Sequence, residues 1–161
     1  MELSVEGERD MAVATLVGHS AYLRPEELFS LRCQDVLEPA STTGVYCHWT
    51  LLLGPLETRK PTKTGVFDDC VILDHPSLQW LGSHLRRLKN GREPHEIIWP
   101  FARDRYAQRF KAVAKKAGME KWNLVPYSLR HSGPSWDRAT RHRTLQEVQR
   151  RGRWMTEKCV C

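Results

Sequence analysis

The stretch YSLRHSGPSWDRATRHRTLQEVQRRGRW, which runs from Tyr127 to Trp154, is the part of the chain that decides the fold. Its arginines outnumber its two acidic residues, so it carries most of the chain's formal net charge of +6. The arginines are Arg130, Arg138, Arg141, Arg143, Arg150, Arg151 and Arg153. A planar guanidinium donates paired hydrogen bonds to phosphate oxygens, which a compact ammonium cannot do. The composition indicates a phosphate-binding surface, with a solvated basic helix face as the alternative.

The composition of the whole chain indicates one intracellular domain. Its 161 residues, 40% of them apolar, are enough for a domain with a hydrophobic core. The pI near 9.2 favours a polyanionic partner. The acidic N-terminus MELSVEGERD is unlike a secretory signal, and no apolar run approaches the length that crosses a bilayer. We therefore expect a nuclear or cytoplasmic protein with no membrane partner.

The cysteines and histidines predict neither a disulfide framework nor a metal site. The five cysteines are odd in number and scattered, which is typical of reduced thiols. They are Cys33, Cys47, Cys70, Cys159 and Cys161. The sequence has no C-x-x-C pair, and its histidines are not spaced as ligands on one helical face. Phosphate loops and dinucleotide fingerprints are absent from the sequence as well, so we expect no metal, cofactor or nucleotide.

Two helices are predicted near the N-terminus. Apolar residues recur at helical spacing from Glu8 to Tyr22. Pro25 suits the first turn of the second helix, where Glu26 and Glu27 complement the helix dipole. Arg24 precedes that positive helix end, so its side chain either points to solvent or is held there to bind an anion. The local sequence leaves both alternatives open.

Two strands are predicted in the middle of the chain, where β-branched, aromatic and apolar residues are dense. They run from Val45 to Leu53 and from Gly65 to Leu73. Pro55 and Pro61 place a loop or bent ribbon between them. Lys63 falls near the base of the second strand, and a lone lysine on a hairpin is usually a solvating edge residue.

The second half of the chain is predicted to be helical. Apolar spacing predicts a helix from Pro76 to Leu88 and an amphipathic helix from Asp104 to Ala117. The Gly133-Pro134 pair predicts a chain break, and a last short helix precedes Gly152. The fold class is therefore mixed and mainly α (α+β), with a small antiparallel β-hairpin or sheet. Residues 1–9 are expected to form a short tail and residues 10–161 one domain.

Most of the large aromatic residues and one histidine are expected to support the fold. We expect the tryptophans to pack in the core or between elements, because nothing in the sequence places them on one surface. They are Trp80, Trp99, Trp122 and Trp136. His131 directly follows Arg130, and we expect it to be a buried hydrogen-bonding residue that supports this arginine.

Four short motifs follow one another in an order that resembles a known family. They are Arg24-x-x-Glu27-Leu28, Thr62-Lys63-Thr64-Gly65, Leu129-Arg130-His131 and Gly152-Arg153-Trp154. The set is similar to the catalytic domain of the tyrosine recombinases, also called phage integrases. The Tyr-Ser-Leu-Arg-His-Ser-Gly run and the Arg-Gly-Arg-Trp ending resemble the divergent eukaryotic members found in mobile elements.

The resemblance implies an activity on duplex DNA. Family members cleave one strand by attack of a tyrosine hydroxyl on a phosphate, form a 3′-phosphotyrosine, and rejoin the strand without metal or cofactor. Arg24 and Arg130 match the two arginines that clamp the non-bridging oxygens. Lys63 matches the general acid that protonates the leaving 5′ oxygen. Glu27 matches the acidic residue that orients the first arginine or a neighbouring base.

Two positions depart from the family pattern. Tyr127 stands three residues before Arg130, where most members have histidine or lysine. A phenol can donate a hydrogen bond to phosphate but is a poor base, because its reference pKa is about 10. Trp154 fits the family's histidine or tryptophan position as an indole N–H donor, while a one-residue shift puts Arg153 there instead. We favour Trp154.

The family's nucleophilic tyrosine and its separate N-terminal DNA-clamping domain have no counterpart in the sequence. We expect the chain to be truncated at Cys161, just before the tyrosine. The other tyrosines do not take its place; they are Tyr22, Tyr46, Tyr106 and Tyr127.

The expected function is that of a DNA-binding domain of a site-specific DNA recombinase or integrase, inactive as written. The alternatives are a non-catalytic basic nucleic-acid-binding module and an unrelated RNA-binding helical protein. The expected partner is duplex DNA, and we expect a monomer in its absence. The residues expected to contact DNA are Arg138, Arg141, Arg143, Arg150, Arg151 and Arg153.

Overall fold

The computed structural model describes residues 5–40, 47–54 and 69–155, and these form six α-helices and one three-stranded sheet. The helices are α1 (Val5–Ser20), α2 (Pro25–Ser30), α3 (Leu81–Lys89), α4 (Arg103–Lys116), α5 (Leu129–Ala139) and α6 (Leu145–Gly152). The strands are β1 (Val36–Leu37), β2 (Trp49–Leu53) and β3 (Asp69–Leu73). None of the helices in this part of the chain has the length and apolar character needed to cross a bilayer. The predicted class, mainly α with a small antiparallel sheet, is confirmed.

Helix α1 lies at the centre of the hydrophobic core. Met11, Ala14 and Val17 recur at helical spacing and are buried. The helix packs against α2, α3 and α5, so it sets the positions of elements from both ends of the chain. It begins at Val5, inside the expected tail, and ends at Ser20 rather than at Tyr22. Tyr22 has a left-handed backbone with φ of 53°, which no helix continues.

The sheet is a small antiparallel meander with β2 in the middle. Leu51 on β2 pairs with Val36 on β1 and with Val71 on β3. The alternate β2 residues Trp49 and Leu51 are buried, because successive strand side chains point to opposite faces. The C-terminal parts of the two predicted strands form β2 and β3. Residues 45, 46 and 65–68, which the prediction also included, lie outside the described residues. Strand β1 was not predicted.

Helix α5 runs without interruption through Gly133 and Pro134, so the predicted chain break is wrong. A proline lacks the N–H that would bond to the carbonyl four residues earlier, which usually breaks a helix. Here Gly133 packs directly on α1, where an added Cβ would overlap the carbonyl oxygen of His19 and crowd the ring of Tyr22. The close α1–α5 packing therefore offsets the lost hydrogen bond.

The prediction that the large aromatic side chains pack internally holds for one of the four tryptophans. Trp99 is buried, and its indole N–H donates to the carbonyl of Leu28 at 2.7 Å. The other three are 49%, 59% and 57% exposed, so the prediction is wrong for them: Trp80, Trp122 and Trp136. His131 is also exposed, and its predicted burial is wrong.

Candidate functional site

The carboxylate of Glu27 is the meeting point of three guanidinium groups from distant parts of the chain. Nη1 of Arg24 donates to Oε1 at 2.6 Å, and Nη2 of Arg153 donates to Oε2 at 2.7 Å. Nη1 of Arg130 lies 3.9 Å from Oε2. We call these four residues the Glu27 cluster. Folding therefore brings together Arg24, Glu27 and Arg130, which the sequence predicts at one site.

The start of α2 positions the first two members of the cluster. Pro25 occupies the first helical position, and Glu27 reaches back to accept a hydrogen bond from the backbone N–H of Arg24 at 2.8 Å. The same carboxylate holds the Arg24 guanidinium, so this side chain is not released into solvent and is only 13% exposed. Among the described residues, Nε and Nη2 of Arg24 have no hydrogen-bond acceptor. These donors are available to an anion.

Arg130 on α5 is 1% exposed, which makes it the most buried charged residue in the described part of the chain. Its Nη1 donates to the carbonyl of Tyr22 at 2.5 Å, and its Nη2 donates to the carbonyl of Gly152 at 2.6 Å. These bonds join α5 to the ends of α1 and α6. Burial and the nearby charge of Arg24 lower the pKa of Arg130 to about 10, so the guanidinium stays charged at neutral pH.

The turn that follows α6 positions Arg153 and Trp154. Arg153 has a left-handed backbone with φ of 55°, and this turns its side chain toward Glu27 while Trp154 folds back. The indole ring of Trp154 lies over the Arg130 guanidinium, 4.9 Å from its carbon to the ring centroid. The ring also stacks on Tyr22 with centroids 6.2 Å apart. Both residues considered for the histidine or tryptophan position thus reach the cluster, one by charge and one by ring contact.

The cluster carries an excess of positive charge. Nε of Arg153 lies 3.5 Å from Oδ2 of Asp69, so two carboxylates face three guanidiniums. Burial lowers the pKa of Arg153, and the negative charges of Glu27 and Asp69 act against this shift. Because the side chains are largely shielded from water, the excess charge acts at a low effective dielectric. One singly charged anion, such as a phosphodiester, would balance it.

Of two other residues expected at the site, the structure describes Tyr127 but not Lys63. Lys63 lies outside the described residues, so its predicted role stays a prediction. Tyr127 is 46% exposed on a single 3₁₀ turn, Pro126–Ser128, just before α5. Its ring packs edge-on against His131 with centroids 5.2 Å apart.

The arginines expected to contact DNA divide into an outward and an inward set. The outward set is exposed and consists of Arg138, Arg141 and Arg150. In the inward set, Arg143 and Arg151 both bind Asp74, at 2.6 Å and 3.2 Å. Arg143 also contacts Asp137 at 3.0 Å. With Arg153, these residues have intramolecular partners, so the exposed basic surface is smaller than the sequence suggests.

The sequence motifs did not point to Asp74 or Asp137, nor to the backbone carbonyls that hold Arg130 and Arg151. Nε of Arg151 donates to the carbonyl of Ser20 at 2.7 Å, and Nη2 donates to that of Ile72 at 2.8 Å. Neither aspartate belongs to a motif. The available signal was weak: Asp74 directly follows a predicted strand, where a short acidic side chain is common in turns.

The tyrosine hydroxyls in the described residues are engaged elsewhere or exposed. The hydroxyl of Tyr22 donates to Asp137, and burial raises its pKa. The hydroxyl of Tyr106 hydrogen-bonds to that of Thr15 at 2.7 Å, and burial raises the pKa of Tyr106 to about 12. No tyrosine hydroxyl in this part of the chain hydrogen-bonds to the Glu27 cluster.

Comparison with solved structures defines the fold as that of tyrosine recombinase catalytic domains. One match is the XerH site-specific recombinase bound to difH substrate in a pre-cleavage complex, with a TM-score of 0.66 and 16% sequence identity. Another is XerH bound to palindromic difH substrate in a post-cleavage complex, with a TM-score of 0.62 and 16% identity. Each match covers 99% of this chain but 44% and 43% of the XerH chains, so the chain spans less than half their length. No protein-family model and no curated protein matches the sequence.

Proposed function

We propose that the chain is a DNA-binding domain of a site-specific DNA recombinase or integrase, and that its Glu27 cluster holds a backbone phosphate of duplex DNA. The observation that carries this proposal is the meeting of three guanidiniums at one carboxylate. It is supported by the fold shared with XerH, whose two structures contain difH substrate before and after cleavage.

The donors of the cluster suit a phosphate that gathers negative charge during strand exchange. A guanidinium has five N–H donors, and Arg130 uses one on each Nη for the carbonyls of Tyr22 and Gly152. Nε and Nη2 of Arg24 are the donors that can bind non-bridging oxygens directly, while the buried Arg130 contributes its positive charge. Donors held in place by carbonyls and a carboxylate need little reorganisation as charge develops, which is the main electrostatic contribution to phosphoryl transfer.

The outward arginines extend the proposed DNA contact beyond the cluster. Arg138, Arg141 and Arg150 are exposed on or beside α5 and α6, the helices that flank Arg130 and Arg153. Contacts of this kind neutralise phosphates and release counterions, so the affinity for DNA should fall steeply as salt rises. We also propose that the protein acts inside the cell, derives from a mobile element, and is monomeric in the absence of DNA.

Strand cleavage needs a tyrosine hydroxyl at the phosphate. Because Tyr22 and Tyr106 use their hydroxyls internally and have raised pKa values, we propose that neither attacks DNA. The exposed Tyr127 stands three residues before Arg130 and does not match the family's nucleophile position, so we propose that a nucleophile for cleavage would come from outside the described residues, on this chain or on another. A non-catalytic DNA-binding module is the second candidate function. It is favoured because Arg130 is buried and both of its Nη atoms donate to backbone carbonyls.

The decisive binding experiment compares two arginines that both pair with a glutamate of α2. Arg24→Gln removes a donor of the cluster, whereas Arg103→Gln removes an exposed charge that pairs with Glu26 at 3.2 Å. Fluorescence anisotropy with a labelled duplex should show an affinity about tenfold lower for Arg24→Gln, because a charge-assisted hydrogen bond is lost. Arg103→Gln should change the affinity much less. Equal effects would mean that duplex DNA binds a generic basic surface and would overturn the proposed site.

A second experiment separates recombinase from binding module. A nicked suicide substrate traps any covalent protein–DNA adduct, because the released fragment diffuses away before religation. An adduct mapped to a tyrosine by mass spectrometry would establish cleavage. DNA binding that depends on Arg24 without any adduct would show that this chain by itself acts as a binding module.

A further inference from the structure

A second group of polar side chains surrounds the carboxylate of Asp137, which lies on α5 about two helical turns after Arg130. A cavity of about 240 Å³ opens there between α1, α5 and the segment after β3. His19, His75 and Asp137 line this cavity. Candidate ligand atoms of His75, Asp137 and His142 all lie within 4.8 Å of one another.

The chain brings these three residues together through two turns. Arg141 has a left-handed backbone with φ of 55° after α5, and the backbone N–H of His142 then donates to the carbonyl of Asp137 at 2.9 Å. In the segment after β3, Asp74 forms an ion pair with Arg143 at 2.6 Å. This ion pair holds His75, the next residue after Asp74, against the turn that contains His142. The rings of His75 and His142 lie with their centroids 4.6 Å apart.

The carboxylate of Asp137 is oriented as metal-binding carboxylates usually are. Its Oδ2 accepts hydrogen bonds from the hydroxyl of Tyr22 and from Nε of Arg143, the latter at 3.0 Å. Its Oδ1 has no hydrogen-bond partner among the described residues. A ligating carboxylate with its second oxygen held by neighbouring donors is the common arrangement in metal sites.

The two histidines differ in how readily they can move toward the carboxylate. His142 is exposed, and its ring nitrogens have no hydrogen-bond partner in the described part of the chain. Nδ1 of His75 accepts a long hydrogen bond of 3.2 Å from the backbone N–H of Ser77, which ligation through Nδ1 would replace. Metal–ligand bonds of about 2.0–2.2 Å require ligand atoms about 3.3 Å apart, so the rings must close by roughly 1.5 Å.

We propose that His75, Asp137 and His142 form a binding site for a divalent transition-metal ion, with Zn²⁺ the best match. Imidazole nitrogen with carboxylate oxygen is a ligand set that suits Zn²⁺, whereas Mg²⁺ and Ca²⁺ prefer oxygen ligands alone. Three protein ligands leave one position for water. The charge of Arg143 opposes a nearby cation, so the affinity is lower than that of closed four-ligand sites. The ion would clamp the turn after α5 onto the segment after β3.

The test is a titration of the whole protein with Co²⁺ as a spectroscopic substitute and with Zn²⁺ by calorimetry. We expect one ion per chain, visible Co²⁺ bands of a low-coordinate site, and a raised thermal midpoint in Zn²⁺. His142→Ala is the main variant, because an exposed side chain without hydrogen bonds can be removed without unfolding the protein. His142→Ala and His75→Ala should each lower the affinity at least tenfold. His95→Ala, an exposed histidine elsewhere, should leave it unchanged.

Three results would overturn the proposal. Absence of saturable binding is the first, and binding by His142→Ala that equals wild type is the second. Cysteine thiols, such as the free and exposed ones of Cys47 and Cys70, are competing ligands, and they would reveal themselves by an intense thiolate-to-cobalt charge-transfer band. A Co²⁺ spectrum dominated by that band would assign the ion to cysteine and also overturn the site.

Discussion

Glu27 on α2 accepts a hydrogen bond at 2.7 Å from Arg153, a residue 126 positions later in the chain. The bond joins the N-terminal helices to the turn that also presents Trp154 to Arg130. One carboxylate therefore sets the positions of two guanidiniums and limits the repulsion among three. A buried group with this role affects both the stability of the fold and the affinity of the site, and the two effects can be measured separately.

Glu27→Gln should destabilise the protein by about 3 kcal/mol, because the buried guanidiniums lose their shared counter-charge. The amide keeps the size of the side chain, so the loss reports charge rather than packing. Urea unfolding measures this loss of folding stability. Glu26→Gln, which breaks the exposed pair with Arg103, is the matched control and should cost less than about 1 kcal/mol.

Added sulfate should recover more stability in the Glu27→Gln variant than in wild type, since an anion can replace the missing carboxylate. If the variant unfolds at the same urea concentration as wild type, the Glu27 cluster is not a charged unit and the phosphate site loses its basis.

Arg130→Lys should lower stability by about 2 kcal/mol although the charge is kept. A single ammonium cannot reach the carbonyls of both Tyr22 and Gly152, so at least one buried acceptor is left without a partner. The exposed Arg138→Lys is the control and should stay within about 0.5 kcal/mol of wild type. Chemical denaturation of both variants makes the comparison. Equal stability of the two variants would show that the carbonyl contacts of Arg130 contribute little.

The elements that the sequence predicted well are those whose burial follows a simple period. Helix α4 was predicted from Asp104 to Ala117 and spans Arg103–Lys116, because its apolar residues recur on one face. Helix α5 was predicted to break at Gly133-Pro134 and does not. The local preference of proline was overridden by packing of Gly133 against α1, a contact between residues far apart in sequence that no local pattern reveals.

In the candidate site, too, contacts between residues far apart in the sequence could not be predicted from local patterns. The order of the motifs predicted that Arg24 and Arg130 meet, and the structure places both beside Glu27. Counting charges could not predict that Arg143 and Arg151 turn inward, because Asp74 reaches them only in the folded chain. A basic stretch in sequence thus overstates the basic surface whenever distant carboxylates fold against it.

Gly152→Ala should displace Trp154 from Arg130. An added Cβ at this position would overlap the indole ring, and overpacking of this kind costs about 1–3 kcal/mol. Duplex DNA affinity should fall together with stability, because the Arg130 guanidinium loses the ring that packs against it and helps to hold it in place. Thermal unfolding and anisotropy measure the two effects.

Gly91→Ala is the matched control for this change. Its φ of +70° strains an alanine, but nothing lies within 4 Å of the added Cβ, so Trp154 is not disturbed. Stability should fall without a change in DNA affinity. A Gly152→Ala protein that behaves in the same way would remove Trp154 from the proposed site.

Acid should destabilise the protein partly through the first turn of α6. Glu147 accepts a hydrogen bond from the backbone N–H of Thr144 at 2.7 Å, and this bond with that of the Thr144 hydroxyl holds the pKa of Glu147 below 4.5. In the unfolded chain the carboxyl takes up its proton first as the pH falls. The stabilising contribution is therefore complete above pH 4.5 and is lost as the pH drops below that value.

Glu147→Gln should flatten this acid dependence, and Thr144→Ala should cost about 1 kcal/mol at neutral pH by removing the N-cap. Urea unfolding at neutral pH and at successive values below 4.5 measures both. Glu93→Gln, an exposed change that leaves the cap intact, should keep the wild-type dependence. Because α6 presents Arg153 to Glu27, loss of the cap should also weaken DNA binding. Unchanged affinity in Thr144→Ala would mean that Arg153 is held by its turn and not by the helix.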